Sequence, residues 1–410
     1  MNISKQSFIN EETTTSIIYN YKILDIVKYI AAIMVICIHT SQLVPIEYYN
    51  FFIKNIICRV AVPFFFVCSA YFVRKGSTAN SNYVKIYLKN LMKSYGFWSI
   101  VFIPIGLDWI HQNLSLPGYL LPLALIYGLL HIGTYYHLWY LPATILAIFL
   151  VDKLLKRFSY KALFIIAILL FMFGSVESYY GLLQNGWFKD AFDICIMVIS
   201  TTRSGILYGT IFTLIGFYIH DHQNTLISYM KYTPTLTIVF FALLVLEGNF
   251  LYRIDRLDMN FLLMLMPFIF FFFIWMLRFP YIPKFDTKKI RNLSKYYYFT
   301  HPVSIVIVEE IIRGLGFKMS SLGLISLLLV ILLTHILSTF LIRIQRPLKK
   351  PLVVFALFIG IFITILIASI FFTFKSDEII VKFELVPCLW FYSSFMAYCI
   401  LMKQREMKTR

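Results

Sequence analysis

The chain has 410 residues, of which 60% are hydrophobic and 18% aromatic, with 41 Phe and 28 Tyr, while charged residues make up only 14%. A soluble domain carries about 45–50% apolar and about 25% charged residues, and no soluble interior takes in this much apolar side chain. Disorder, collagen and coiled coil fall to the same numbers. The 37 Lys+Arg against 20 Asp+Glu give a formal charge of +17. These basic residues sit in short loops between apolar runs, where they set topology against an anionic leaflet. No basic-aromatic platform for nucleic acid stands outside the runs. The composition therefore predicts an all-α polytopic membrane protein with no nucleic-acid partner.

Residues 1–21 are polar, with Glu11, Glu12 and a threonine run, and lack the basic start, apolar core and cleavage site of a signal peptide. Apolar runs long enough to span a bilayer follow near 24–44, 53–73, 95–112, 137–152, 159–176, 204–220, 233–250, 260–278, 296–312, 320–342, 351–374 and 385–402. The stretch 116–135 is apolar but broken by Pro117, Gly118, Pro122 and Gly133; it reads as interfacial or re-entrant, and 177–200 reads similarly. With the N-terminus inside, the inner loops and tails hold the large majority of Lys and Arg, which puts both termini in the cytoplasm.

The expected organisation is a cytoplasmic tail over 1–21 and a membrane domain of ten helices over 22–346. Two accessory helices over 347–402 and a basic cytoplasmic tail over 403–410 follow. That makes about twelve transmembrane helices.

An ionisable side chain at mid-bilayer costs about 2.5–3.5 kcal/mol on insertion scales, so each one is a functional candidate whose partner must be found. The first run carries Asp25, Lys28 and His39. Lys28 and His39 are eleven residues apart, about three helical turns or about 16 Å along one face. Lys28 would sit at the inner mouth with Asp25 one turn below as an ion pair, and His39 in the outer half. A cation below a titratable imidazole, lining one cavity, suits an anionic, elongated ligand. Each also has an ordinary reading: a lone lysine snorkels to the interface, and a lone histidine is often a satisfied core residue.

Further along come Arg59 in Cys58-Arg59-Val-Ala-Val-Pro63, His137-Leu-Trp139-Tyr140, and Arg203-Ser-Gly205. Arg59 and Arg203 are expected near the height of His39, where a guanidinium suits an oxyanion. An outer-interface anchor and an aromatic belt are their plain alternatives. Arg291 through Ser294, Tyr298, His301 and Pro302 enter the ninth run from a basic loop, and Pro302 frees a backbone carbonyl there. His111, His131, His220 and His222 lie at loop edges, and His335 reads as an isolated core residue.

The six cysteines, Cys37, Cys58, Cys68, Cys195, Cys388 and Cys399, form no C-x-x-C pair, and no histidine pair has metal-ligand spacing, so no disulfide framework or metal is expected. There is no G-x-S-x-G, P-loop, Rossmann or H-E-x-x-H pattern.

Together these stretches resemble the acyltransferase-3 family of integral membrane proteins. The matching features are Lys28-x10-His39-Thr with Asp25, and Arg59 with Val-Pro-Phe-Phe-Phe-x-x-Ser-x-Tyr. His137-Leu-Trp-Tyr-Leu, Arg203-Ser-Gly, and Ser294 through His301-Pro302 complete the set. The wording is nearest the branch containing the membrane half of vancomycin-type membrane-bound serine racemases. Ala70 departs from the family pattern, which has Gly after Ser69 for close helix packing.

The resemblance implies O-acyl transfer from a cytoplasmic acyl-CoA, acetyl-CoA foremost, to a hydroxyl of an extracytoplasmic glycan or lipid-linked sugar. It implies a multi-pass protein of a bacterial plasma membrane. His39 and Arg59 would be catalytic and Lys28 would bind the CoA phosphates. Trp139, Tyr140, Arg203, Ser294, Tyr298 and His301 would bind substrate. A carrier for a small polar solute such as an amino acid is the rival reading; a catalytically idle subunit for polysaccharide export is a third. No pair of broken helices is expected at the midplane, which counts against the carrier.

Overall fold

A backbone inside a bilayer must satisfy its own N–H and C=O groups, and an apolar run of about 20 residues does so as a helix. The computed structural model describes residues 19–113, 121–226 and 231–344, and these are helical with no strand among them. In chain order the helices are α1 (Tyr21–His39), α2 (Glu47–Ala79), α3 (Tyr83–Asn113), α4 (Leu121–His131), α5 (Tyr136–Leu154) and α6 (Tyr160–Ser175). They continue with α7 (Trp187–Ile199), α8 (Thr210–Asp221), α9 (Thr233–Leu251), α10 (Leu265–Leu277), α11 (Lys288–Gly314) and α12 (Leu324–Ile344).

Each expected run from 24–44 to 320–342 coincides with a helix, while 351–374, 385–402 and the terminal tails to residue 18 and from 345 lie outside the described residues. Among the described residues four helices are long and apolar enough to cross a membrane: Glu47–Ala79, Tyr136–Leu154, Thr233–Leu251 and Leu324–Arg343, with mean hydropathy from 1.3 to 2.5. The long α1 and α11 carry charge instead, Asp25 and Lys28 on one and Arg291 and Lys295 on the other. The broken stretches 116–135 and 177–200 contain α4 and α7. On α7 Trp187 and Met197 are largely exposed.

Local chemistry sets the helix ends. Asn20 caps α1 by accepting the Ile23 N–H at 3.0 Å, and its amide donates to the Phe279 and Tyr281 carbonyls, tying the start of α1 to the chain after α10. α10 is shorter than its apolar run because residues 260–264 are irregular. The Glu247 carboxylate of α9 accepts the Leu263 and Met264 N–H groups there, acting as a cap supplied by another helix.

α2 and α8 are interrupted. A π-helical turn at Phe52–Ile57 and a 3-10 turn at Cys58–Val60 break α2, and a π-helical turn at Gly205–Gly209 leads into α8. Hydropathy carries no trace of these turns.

Close packing rests on small residues, as is usual between helices in lipid. A Cβ on Gly216 of α8 would stand 2.5 Å from the Val67 carbonyl and 2.7 Å from the Ala70 Cβ of α2. Ala70 is fully buried there, so the glycine that the second span lacks is supplied by its partner. At one end of this pair Arg74 grips both oxygens of Asp221, which also accepts the Tyr160 hydroxyl at 2.7 Å, clasping α2, α6 and α8. α1 packs along α11 with α12 behind. Their link is a hydroxyl chain, Tyr29 to Tyr297 at 2.9 Å and Tyr297 to His335 Nδ1 at 2.8 Å, so His335 is not isolated.

Candidate functional site

Arg291, Ser294, Tyr298 and His301 fall at helical spacing, which brings them to one face of α11. Lys28 and His39 occupy the facing length of α1. The Lys28 ammonium lies 2.8 Å from Asp25, as expected from their spacing. Asp25 is buried, accepts the Thr287 hydroxyl at 2.8 Å and has the Arg291 guanidinium 3.9 Å away. Ser294 donates to the Lys28 carbonyl at 3.0 Å, fixing α11 against α1 at this level.

A cavity of about 380 Å³ opens beside Lys28, with Ser69, Asn90, Arg291, Lys295 and Tyr298 in its wall. Tyr140 lines it too and meets the Ser69 hydroxyl at 3.2 Å. Lys28, Arg291 and Lys295 line it and, among the described residues, no carboxylate does, so the void favours an anion.

The expectation that Lys28 and His39 line one cavity is not met by the cavity beside Lys28. The wall of this cavity includes Lys28 but not His39. The phenol rings of Tyr140 and Tyr298, 5.7 Å apart, stand at its head. Beyond them the rings continue: His301 is 6.5 Å from Tyr298, and His39 is 5.6 Å from His301.

His39 sits on the last turn of α1, with Tyr136 at 4.7 Å. The chain leaves the helix at Thr40, whose carbonyl accepts Lys54 Nζ at 2.6 Å. Lys54, Arg59 and Arg203 all lie near enough to act electrostatically on the imidazole. His301 is fully buried; its Nδ1 meets the Tyr297 carbonyl at 3.0 Å, and its Nε2 has no hydrogen-bond partner. Pro302 has no N–H to offer the Tyr298 carbonyl, which leaves the turn below His301 open to its ring. His137 stands edge-on to His301 at 5.4 Å with both ring nitrogens unpartnered, and its carbonyl accepts the Tyr298 hydroxyl at 2.8 Å.

The guanidiniums form a third group. Arg59 donates to Asn260 at 2.6 Å and Asn55 at 3.0 Å, leaving its buried Nε unpartnered. Arg203 pairs with Asp258 at 2.9 Å and lies 5.8 Å over the Trp139 ring. Glu177 accepts the Thr202 N–H at 2.7 Å and so holds the segment that presents Arg203.

The residues expected at the site thus divide. Lys28, Tyr140, Ser294 and Tyr298 surround or flank the cavity. His39 and His301 meet beyond it, and Arg59, Arg203 and Trp139 form the polar cluster on the His39 side. Trp139 and Tyr140, neighbours in sequence, face different groups.

Arg291 was read only as the start of a motif, and Lys295, Asn90, Lys54, Asp258 and Asn260 were missed. Asp258 and Asn260 carried a signal, since they lie together between two apolar runs on the same side as Arg59. No three His, Cys, Asp or Glu side chains among the described residues form a group able to hold a metal.

Comparison with known proteins agrees with this architecture. An amino-acid racemase of Enterococcus faecalis is 34% identical over 208 residues, 50% of this chain and 29% of that protein. A second amino-acid racemase of the same species is 28% identical over 334 residues, 80% of this chain and 46% of its own. A serine/alanine racemase of Enterococcus gallinarum is 28% identical over 326 residues, 76% of this chain and 44% of its own. The chain therefore spans less than half the length of these relatives. No solved structure matches. The acyltransferase domain pattern matches residues 21–343, and the chain belongs to the acyltransferase-3 family of multi-pass membrane proteins.

Proposed function

We propose that the protein is an integral membrane O-acyltransferase. It moves an acyl group, acetyl in the first instance, from acyl-CoA in the cytoplasm to a hydroxyl of a glycan or envelope precursor outside a bacterial plasma membrane. The observation that carries this reading is the axis along α1 and α11. A cationic cavity at Lys28, Arg291 and Lys295 leads by way of Tyr298 to the paired imidazoles of His39 and His301. The excess of basic residues at the Lys28 end supports placing that end inside.

The donor's phosphates meet Lys28 and Arg291, and its thioester arm runs past Tyr298 once the phenol rings part. His39 takes the proton of the acceptor hydroxyl as a general base. Arg59, held by Asn55 and Asn260, and Arg203, held by Asp258, stabilise the oxyanion in a water-poor setting where fixed charge is most effective. The racemase names of the relatives describe longer proteins, less than half of whose length is matched by this chain, so acyl transfer by the shared membrane part is the activity to test.

The test uses the purified full chain in detergent. Acetyl-CoA should raise the unfolding midpoint and release free thiol, and a Lys28→Met protein should need a higher donor concentration for the same shift. No shift with acetyl-CoA, together with uptake of an amino acid by proteoliposomes, would overturn this reading in favour of a carrier.

A further inference from the structure

We infer that His301 is a second catalytic imidazole, the proton donor to the departing sulfur of the thioester; this rests on the acyl-transfer reading. Three observations carry it. His301 is completely buried, yet Nε2 meets no partner. A buried polar atom left unmatched is destabilising, so an orphan here requires an explanation. Second, Nδ1 is tied to the Tyr297 carbonyl at 3.0 Å. That bond assigns the Nδ1 proton and leaves Nε2 as the working end of the ring.

Third is position. His301 lies one turn beyond Tyr298, which lines the donor cavity, and its ring centre is 5.6 Å from that of His39. Two imidazoles at that separation can flank one reacting carbonyl, His301 on the donor side and His39 on the acceptor side.

The chemistry balances with both rings neutral at the start, as a buried Nε2 with no partner requires. The acceptor oxygen bonds to the acyl carbon and the hydroxyl proton goes to His39. That proton passes from His39 to Nε2 of His301, and the thiolate takes it from there as the carbon–sulfur bond breaks, so both rings are restored. The products are an ester and a free thiol.

The experiment compares two donors in the full chain with water as surrogate acceptor, following thiol release. One is acetyl-CoA, whose thiolate needs a proton to leave well; the other is S-(4-nitrophenyl) thioacetate, whose thiolate does not. His301→Gln should slow release from acetyl-CoA by about 10²–10⁴-fold, the usual worth of general acid catalysis, and release from the aryl thioester by less than about tenfold. His39→Ala should be slow with both. His301→Asn, which can keep the bond to the Tyr297 carbonyl, serves as the second variant, with unfolding midpoints measured for each.

Release from acetyl-CoA at the wild-type rate in either variant, or an equal loss with both donors, would overturn the assignment. Failure of both variants to fold would assign the ring to packing and overturn it as well. A wild-type protein that cleaves neither donor sinks the acyl-transfer reading itself, and this inference with it.

Discussion

Replacing Lys28 with Met separates its part in the fold from its part in binding. Lys28 and Asp25 are 2.8 Å apart with only 17% and 8% of their side-chain surfaces exposed. At that distance and an effective dielectric of about 20, their attraction is about 6 kcal/mol before desolvation is subtracted. Removing one partner of such a buried pair typically costs about 3–5 kcal/mol, because the remaining charge stays buried without compensation.

Asp25 keeps the Thr287 hydroxyl at 2.8 Å and Arg291 at 3.9 Å, which places the expected loss at the low end, about 3 kcal/mol. Converting Asp25 to Asn in the same protein removes the stranded charge. The double variant should return to within about 1 kcal/mol of the wild type. Donor affinity should follow a different rule, falling about tenfold in both proteins, or about 1.4 kcal/mol, because both lack the ammonium. Denaturant unfolding of detergent-solubilised protein measures the first quantity and acetyl-CoA titration the second. Equal stability of the single and double variants would refute the ion-pair reasoning, and undiminished donor affinity would remove Lys28 from the binding site.

Other substitutions probe the rest of the axis. His39→Ala should abolish acyl transfer without lowering the unfolding midpoint; normal acylation of envelope glycan in a strain carrying it would remove His39 from the chemistry. Arg59→Gln should cost about 10²–10³ in turnover, the usual effect of losing an oxyanion donor, with little change in the donor concentration at half-maximal rate. Gly216→Ala forces a Cβ to within 2.5 Å of the Val67 carbonyl. It should destabilise the protein by about 1–3 kcal/mol through overpacking, read as a lower yield of folded protein, whereas Gly314→Ala, which meets nothing within 4 Å, should not.

Much of α1 was legible in the sequence because charge inside an apolar run has few explanations. Asp25 and Lys28 do pair, and His39 does end up among polar groups. The stretch holding Ser294, Tyr298 and His301 was legible as well, and α11 brings the three to one face. The ring arrangement above Lys28 was not legible, because it depends on how the Tyr140 and Tyr298 rings from two distant helices meet. The wide turns at Phe52–Ile57 and Gly205–Gly209 were equally hidden, since a π-turn has the composition of the helix around it. Asp258 and Glu177 escaped because a carboxylate in a loop reads as solvated until the fold gives it a guanidinium or a backbone N–H.

The phenol partition at the head of the cavity bears on a hazard that any such protein faces. On the proposed acyl-transfer reading, a bundle that admits a charged donor from one compartment and serves another must not become an ion leak. Tyr298 is anchored through its hydroxyl to the His137 carbonyl and Tyr140 stands against Ser69, so aromatic rings line the resting cavity on the side of His301. On that same reading, a plug of such rings would keep protons and cations from short-circuiting the membrane between turnovers.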